Sequence, residues 1–339
     1  MKKKLIIIFL LCCMVPVTVH AGVSKVGTTA ASFLKIGVGA RAIGMGGAFV
    51  SMATDASALY WNPAGIVFVN GGEAFFNHAD WIADIDFEYA GFVYQMPGLG
   101  SFGVSATFLR MDDMERTTIL YPEGTGQMFS AGSYALTGTY ARMLTDRFSI
   151  GFNIKYINET ILNTTANGFA IDIGTMFITQ FRGLRIGANI SNFGSKMQMN
   201  GRDLLVQHDI DEIREGNNDR INADLETDKF DLPLHLRVGI SYDLLQDISN
   251  NTLWLSVDAT HPNDNVETLN IGAEYIFMDM FSLRSGYASL FNDESEQGLA
   301  FGGGFKYNIM ANFNIRIDYA YETFGRFDNV QKFSVAIGF

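Results

Sequence analysis

One rhythm constrains this chain more than any other feature: apolar and polar residues alternate one for one, in segment after segment. In Phe313-Asn314-Ile315-Arg316-Ile317-Asp318-Tyr319-Ala320-Tyr321-Glu322, one face is aromatic or branched and the other carries the charges. The split recurs in Leu234 to Tyr242, Phe148 to Tyr156, Leu253 to Thr260, Leu269 to Phe277, Leu299 to Tyr307 and Phe102 to Phe108. A period of two belongs to a strand whose faces meet different surroundings. The chain is therefore expected to be all-β.

Alternation alone fits both a soluble sandwich and a membrane barrel. Two observations favour the barrel. The apolar faces carry Phe and Tyr near strand ends, as interfacial girdles require, and the connections alternate in length. Strands are expected near 72–79, 86–96, 101–111, 129–143, 147–159, 167–180, 184–194, 232–243, 252–260, 266–278, 281–290, 298–308, 312–323 and 330–339. The segment 86–96 alternates poorly in polarity. The links after the second, fourth, sixth, tenth and twelfth strands are very short, whereas 112–128 and 195–231 are long. Short turns at one end, long loops at the other and an even count near fourteen predict a transmembrane antiparallel β-barrel over residues 72–339. Without water in the hydrocarbon every strand edge must be paired, so the sheet must close. The inward face would then hold Lys155, Asp172, Arg185, His235, Arg237, Asp258, Glu274, Arg284, Lys306, Arg316, Asp318 and Glu322, with both signs present to pair.

The first residues agree with export. Lys2-Lys3-Lys4, an apolar run from Leu5 and Val19-His20-Ala21 predict a signal peptide over 1–21. Both cysteines, Cys12 and Cys13, lie inside it, so the processed chain has no disulfide or thiolate metal site. Losing three lysines takes the net charge from −12 to about −15. An acidic balance argues against nucleic acid as a partner. The outer membrane of a Gram-negative-type bacterium is the expected location, with its lipid as one partner.

A barrel of about fourteen strands is too wide for its wall side chains to fill. Residues 22–71 are expected to form an N-terminal hatch inside it. They are apolar enough to pack, through Phe33, Leu34, Ile36, Ile43, Met45, Phe49, Leu59, Tyr60 and Trp61. Their glycines permit tight bends. Gly37 and Gly39 followed by Ala42 do not make a dinucleotide fingerprint. Asn62-Pro63-Ala64-Gly65 fits a type I turn, and Asp55 is placed to cap a short helix over Ala56 to Trp61.

The stretch Arg41-Ala42-Ile43-Gly44-Met45-Gly46-Gly47-Ala48-Phe49, with Asp55 and then Trp61-Asn62-Pro63-Ala64-Gly65, resembles the N-terminal signature of the PorV/PorQ family, itself similar to FadL-type fatty acid transporters. The hatch-motif residues on which the resemblance rests are Arg41, Gly44, Gly46, Gly47, Asp55, Trp61, Asn62, Pro63 and Gly65. The terminal strand ends on Phe339, and an aromatic last residue resembles the assembly signal of many outer-membrane barrels. The resemblance implies a FadL-like barrel that works with type IX secretion machinery and binds the C-terminal domains of secreted cargo.

Two functions follow. One is a protein-binding barrel whose contacts lie in the outer loops, chiefly 195–231. There Leu204, Leu205, Ile210 and Ile213 suggest a short amphipathic helix. The other is passive passage of a hydrophobic small molecule. Catalysis, metals and cofactors are not expected. His78, His208, His235 and His261 make no metal spacing. Asp209, Asp211 and Glu212 lack the glycine and spacing of a calcium loop. No G-x-S-x-G elbow occurs. Asp80, Asp84 and Asp86 read as solvated loop charges.

Overall fold

A computed structural model of the protein describes residues 26–210, 213, 220–246, 250–292, 295–310 and 313–339. The expected signal peptide lies outside the described residues, as do Asp211 and Glu212.

Fourteen strands form the wall: β1 Gly72–Trp81, β2 Ile85–Met96, β3 Gly100–Arg110, β4 Ala131–Thr145, β5 Phe148–Ile161, β6 Thr164–Ile178 and β7 Arg185–Gly194, then β8 His235–Asp243, β9 Asn251–Pro262, β10 Thr268–Phe277, β11 Phe281–Leu290, β12 Gln297–Met310, β13 Phe313–Phe324 and β14 Val330–Gly338. Each pairs antiparallel with its sequence neighbour. The sheet closes where β1 pairs with β14, Phe75 lying opposite Ala336. The fourteen-stranded antiparallel barrel read from the sequence is what the chain forms, and each expected strand is found within a few residues.

Alternation sorts the side chains. Phe92, Val104, Ile154, Phe169, Leu283, Ile317 and Phe333 stand exposed on the outside, where a bilayer supplies the apolar contact. Asp172, Asp258, Glu274, Arg284 and Asp318 are buried on the inside. Strand β2 explains why 86–96 alternates poorly in polarity. Its inward residues Phe87, Tyr89 and Val93 are buried against an apolar interior; from Ala90 onward the outward residues Phe92, Tyr94 and Met96 are apolar as well, so the polarity contrast fades there while the burial still alternates.

The chain end and Gly72 share one end of the barrel with the turns at 97–99 and 146–147, so this is the inner, periplasmic end. The opposite, outer end carries the long connections. Two of its links are also tight, at 82–84 and 162–163. The loop 195–234 departs from expectation. The segment read as an amphipathic helix instead forms a single 3₁₀ turn, Arg202–Leu204, and an extended arm, Leu205–His208, paired with Ile221–Asp224. Leu205 and Val206 are held in that local hairpin ladder and stay exposed, so they form no buried stripe of the kind that favours a helix. A second small hairpin joins Met114–Glu115 to Met128–Phe129 in loop 111–130.

Residues 31–69 run through the lumen. They include a 3₁₀ turn Ser32–Lys35, helix α1 Ala40–Gly44, helix α2 Ala58–Trp61 and a 3₁₀ helix Pro63–Phe68. Val38, Ala40, Met45, Phe49, Val50, Met52 and Ile66 are fully buried. This segment and the inward face of β1 and β2 form one apolar core. The rings of Phe49 and Trp61 meet edge to face, centroids 6.0 Å apart.

Candidate functional site

The lumen segment touches the wall through three devices. The first is a closed ring of charges. Arg41 Nε and Nη2 donate to the two oxygens of Glu274 at 2.9 and 2.7 Å. Glu274 also accepts from Arg284 Nε at 2.7 Å, and Arg284 Nη1 reaches Asp318 at 2.7 Å. Asp318 accepts from Arg316 Nε at 3.1 Å. Arg316 Nη2 lies 2.9 Å from Asp55 Oδ2, which also accepts from Arg41 Nη1 at 3.0 Å. Three arginines and three carboxylates thus alternate around one circuit, and two of the six, Arg41 and Asp55, come from the leader. Glu73 lies beside it, 3.9 Å from Arg316, and accepts from the Ala56 amide. Burial alone would raise the pKa of Asp55; the charges of Arg316 and Arg41 outweigh it and hold the carboxyl well below the usual carboxylate range.

The second device is a set of carboxylate and amide clamps on leader backbone. Asp258 Oδ2 accepts from the Phe49 and Val50 amides, each at 2.7 Å. Asn153 donates to the Leu59 carbonyl at 2.9 Å and to Asp172, which is paired with Lys155 at 2.7 Å. Asn189 donates to the Trp61 carbonyl at 3.0 Å. Lys332 donates to the Gly37 carbonyl at 2.5 Å. Each satisfies a buried polar atom of a segment that has little secondary structure of its own.

The third device is made of absent side chains. Three cross-strand glycine pairs point into the lumen: Gly151 opposite Gly174, Gly187 opposite Gly239 and Gly272 opposite Gly286. A Cβ at Gly187 would stand 2.5 Å from the Val50 carbonyl oxygen. At Gly151 or Gly174 it would overlap Pro63 or Asn62, and at Gly272 or Gly286 the Met45 backbone. Glycine here is a packing requirement, because the leader backbone rests directly on the wall.

The motif residues sit at these contacts. Trp61 Nε1 donates to the Val38 carbonyl at 2.8 Å. Asn62 Nδ2 donates to Val50 and Thr175 carbonyls at 2.9 and 3.0 Å, and its Oδ1 accepts from the Ala64 amide. It thereby caps the 3₁₀ helix begun by Pro63. The Gly65 amide bonds to the Asn62 carbonyl at 2.9 Å, closing the turn. Gly46 and Gly47 have φ of 62° and 73°, and a Cβ on Gly46 would lie 2.6 Å from Tyr287 N. Gly44 packs on Gly302. Asp55 differs from expectation: α2 is preceded by Ser57 without a side-chain cap, and Asp55 instead binds the Ser57 amide and hydroxyl, leaving its second oxygen for the arginines. Phe339 exchanges both backbone bonds with Gly72, at 2.7 and 2.9 Å, and its ring stacks on Phe92.

Of the residues read as inward, Lys155, Asp172, Arg237, Asp258, Glu274, Arg284, Asp318 and Glu322 are buried. Arg185 and His235 are half-buried, and Lys306 lies in the inward register but is exposed near the inner end. Glu73 and the wall glycines were not singled out from sequence. The available signal was glycine recurring on the polar face, as at Gly151. His78, Asp80 and Asp86 gather on the outside of β1 and β2.

A closed wall with apolar outward residues and a leader fastened within defines an outer-membrane β-barrel with a filled lumen. Its family follows from residues 20–209, which match the family model described as Type IX secretion system protein PorV; the chain belongs to that family. Among solved structures it is similar to a Pseudomonas aeruginosa FadL homologue, 14% identical, TM-score 0.54, covering 89% of this chain and 98% of that one. It is also similar to the CymD monoaromatic hydrocarbon channel and to the Pseudomonas putida toluene transporter TodX, each 13% identical with TM-score 0.55, covering 89% of this chain and 97% of theirs. At these identities the likeness is one of fold. Comparison with the curated proteins gave no match. The protein is an outer-membrane β-barrel of that family.

Proposed function

We propose that this barrel is a closed, protein-binding component of a type IX secretion pathway, engaging secreted cargo or partner proteins through its outer loops. In this reading residues 22–71 are a hatch. Arg41 and Asp55 lock it, the motif glycines and Trp61-Asn62-Pro63 shape it, and Phe339 serves assembly. The observation that supports the reading most is the fastening of the leader: an ion ring, backbone clamps and glycine contacts occupy the lumen where a permeation path would run. The outer loops, by contrast, present apolar residues to solvent. Ile119 and Leu120 are 100% and 85% exposed, in a hairpin that also bears Asp112, Asp113 and Glu123.

A second reading has its own support. At the outer end, Phe33, Lys35, Trp81, Leu109, His235 and Phe324 line a hollow of about 620 Å³, within the ~300–1,000 Å³ typical of small-ligand sites. A hydrophobic small molecule would enter there.

One experiment separates them. Crosslinking in native membranes, followed by purification and mass spectrometry of the adducts, is expected to recover secreted proteins joined to loop 111–130 or 195–234. Recovery of a bound small molecule and no protein would support passage instead.

A further inference from the structure

On the lipid-facing side of the wall, one row of outward residues reads Phe92, Val104, Gly138, Ile154 across β2 to β5. The row nearer the inner end reads Tyr94, Phe102, Tyr140, Phe152. Gly138 is a gap in a surface of large side chains, and a Cβ built on it would meet nothing within 4 Å. Around it lies an open hollow of about 640 Å³, lined almost wholly by apolar atoms of these residues. One row further in, on the same face, stands Arg142, opposite Ile150. It is exposed and has no hydrogen-bond or ion-pair partner among the described residues. At the inner end it is also the single charged side chain on the outward face of the described wall strands.

We propose that this face holds one phosphate-bearing lipid of the inner leaflet, with an acyl chain seated in the Gly138 notch and the phosphate on Arg142. Three facts carry the assignment. The notch faces the hydrocarbon, where acyl chains are the abundant filler. Its walls are aromatic and branched, and the Phe102 and Tyr140 rings lie 5.1 Å apart, which gives a shaped surface for a chain. A guanidinium at the inner rim stands at headgroup depth, where it is matched by phosphate through charge-assisted hydrogen bonds. An arginine that merely reached toward water would need no notch beside it.

The test uses the processed, full barrel in mild detergent. Native mass spectrometry follows its titration with dioleoylphosphatidylglycerol and, separately, with dioleoylglycerol, which has the same chains and no phosphate. The expected result is one retained phospholipid. Binding should weaken about fivefold for Arg142→Gln and for dioleoylglycerol, recover in Arg142→Lys, and vanish in Gly138→Leu. Heat-modifiable gel mobility reports folding of each variant. Should Gly138→Leu fail to fold, Arg142→Gln, at an exposed rim position, decides alone. Equal retention by wild type, Arg142→Gln and Gly138→Leu would overturn the proposal. So would a protein crosslinked to this face in place of the lipid.

Discussion

Gly272 and Gly286 face one another across β10 and β11, and the backbone of Met45 lies against both. Two strands have given up their side chains at one height so that a third piece of chain can touch them. The pairs Gly151–Gly174 and Gly187–Gly239 do the same elsewhere around the wall. A single added methyl at Gly286 should therefore push the leader off its seat. Gly286→Ala is expected to lower stability by about 1–3 kcal/mol and to make the leader protease-sensitive. Gly138→Ala, with open space around its Cβ, should change stability by less than about 0.5 kcal/mol. Limited proteolysis and denaturant unfolding of the two variants check the contrast.

The ion ring gives a second expectation. Removing Arg41 leaves Glu274 and Asp55, both buried, each with one arginine fewer. Arg41→Ala should cost about 3 kcal/mol, seen as a lower unfolding midpoint. An unchanged midpoint would mean that the ring does not fasten the leader.

The ring also sets a pH dependence. The folded-state pKa of Asp55 is depressed, so its contribution is fully present above its unfolded value of about 3.9 and is lost as pH falls below that value. The stability gap between wild type and Asp55→Asn should stay constant from neutral pH to about 5 and narrow below about 4. Unfolding curves for both proteins across that range measure it, and a gap that widened on acidification would contradict the sign.

Deletion of residues 22–71 tests closure. Planar-bilayer recordings of the deleted barrel should show conductance absent from the intact one. Silent bilayers containing verified, folded barrel would count against the hatch.

Phe339 offers a test of assembly. Phe339→Ala keeps the backbone pair with Gly72 and loses the ring on Phe92, so the folded barrel should lose only about 1 kcal/mol. Insertion should suffer far more, read as a falling fraction of heat-modifiable protein in the outer membrane. Normal insertion would remove Phe339 from any signalling role.

Legibility of the sequence depended on what each strand faces. β13 was plain, because Arg316 and Asp318 look inward while Ile317 and Tyr319 look outward. β2 was obscure in its inner half, because Gly91 and Val93 face an apolar leader while Phe92 and Tyr94 face outward, so no polarity contrast remains there. Arg41 and Glu274 could each be assigned to the interior, but they are 233 residues apart in sequence. Their meeting depends on the closure and stagger of all fourteen strands, which no local pattern encodes. The arm Leu205–His208 had apolar residues at spacings that a helix or a strand can use, and pairing with Ile221–Asp224 decided between them. Asp55 was read as a cap because a short acidic residue before a helix commonly caps it; two arginines from different parts of the chain claimed it instead.

The path of the leader carries a temporal consequence. Thr29 is bridged to Asp231 and bonded to Asp264 at the outer end, while Gly71 adjoins Phe339 at the inner end, so the segment traverses the full height of the enclosure. A cylinder already zipped shut would have to admit that thread lengthwise past glycine contacts with no clearance. The wall must accordingly keep one seam unknit until the thread is laid, so slowing the laying should delay closure and insertion together and not yield an empty tube.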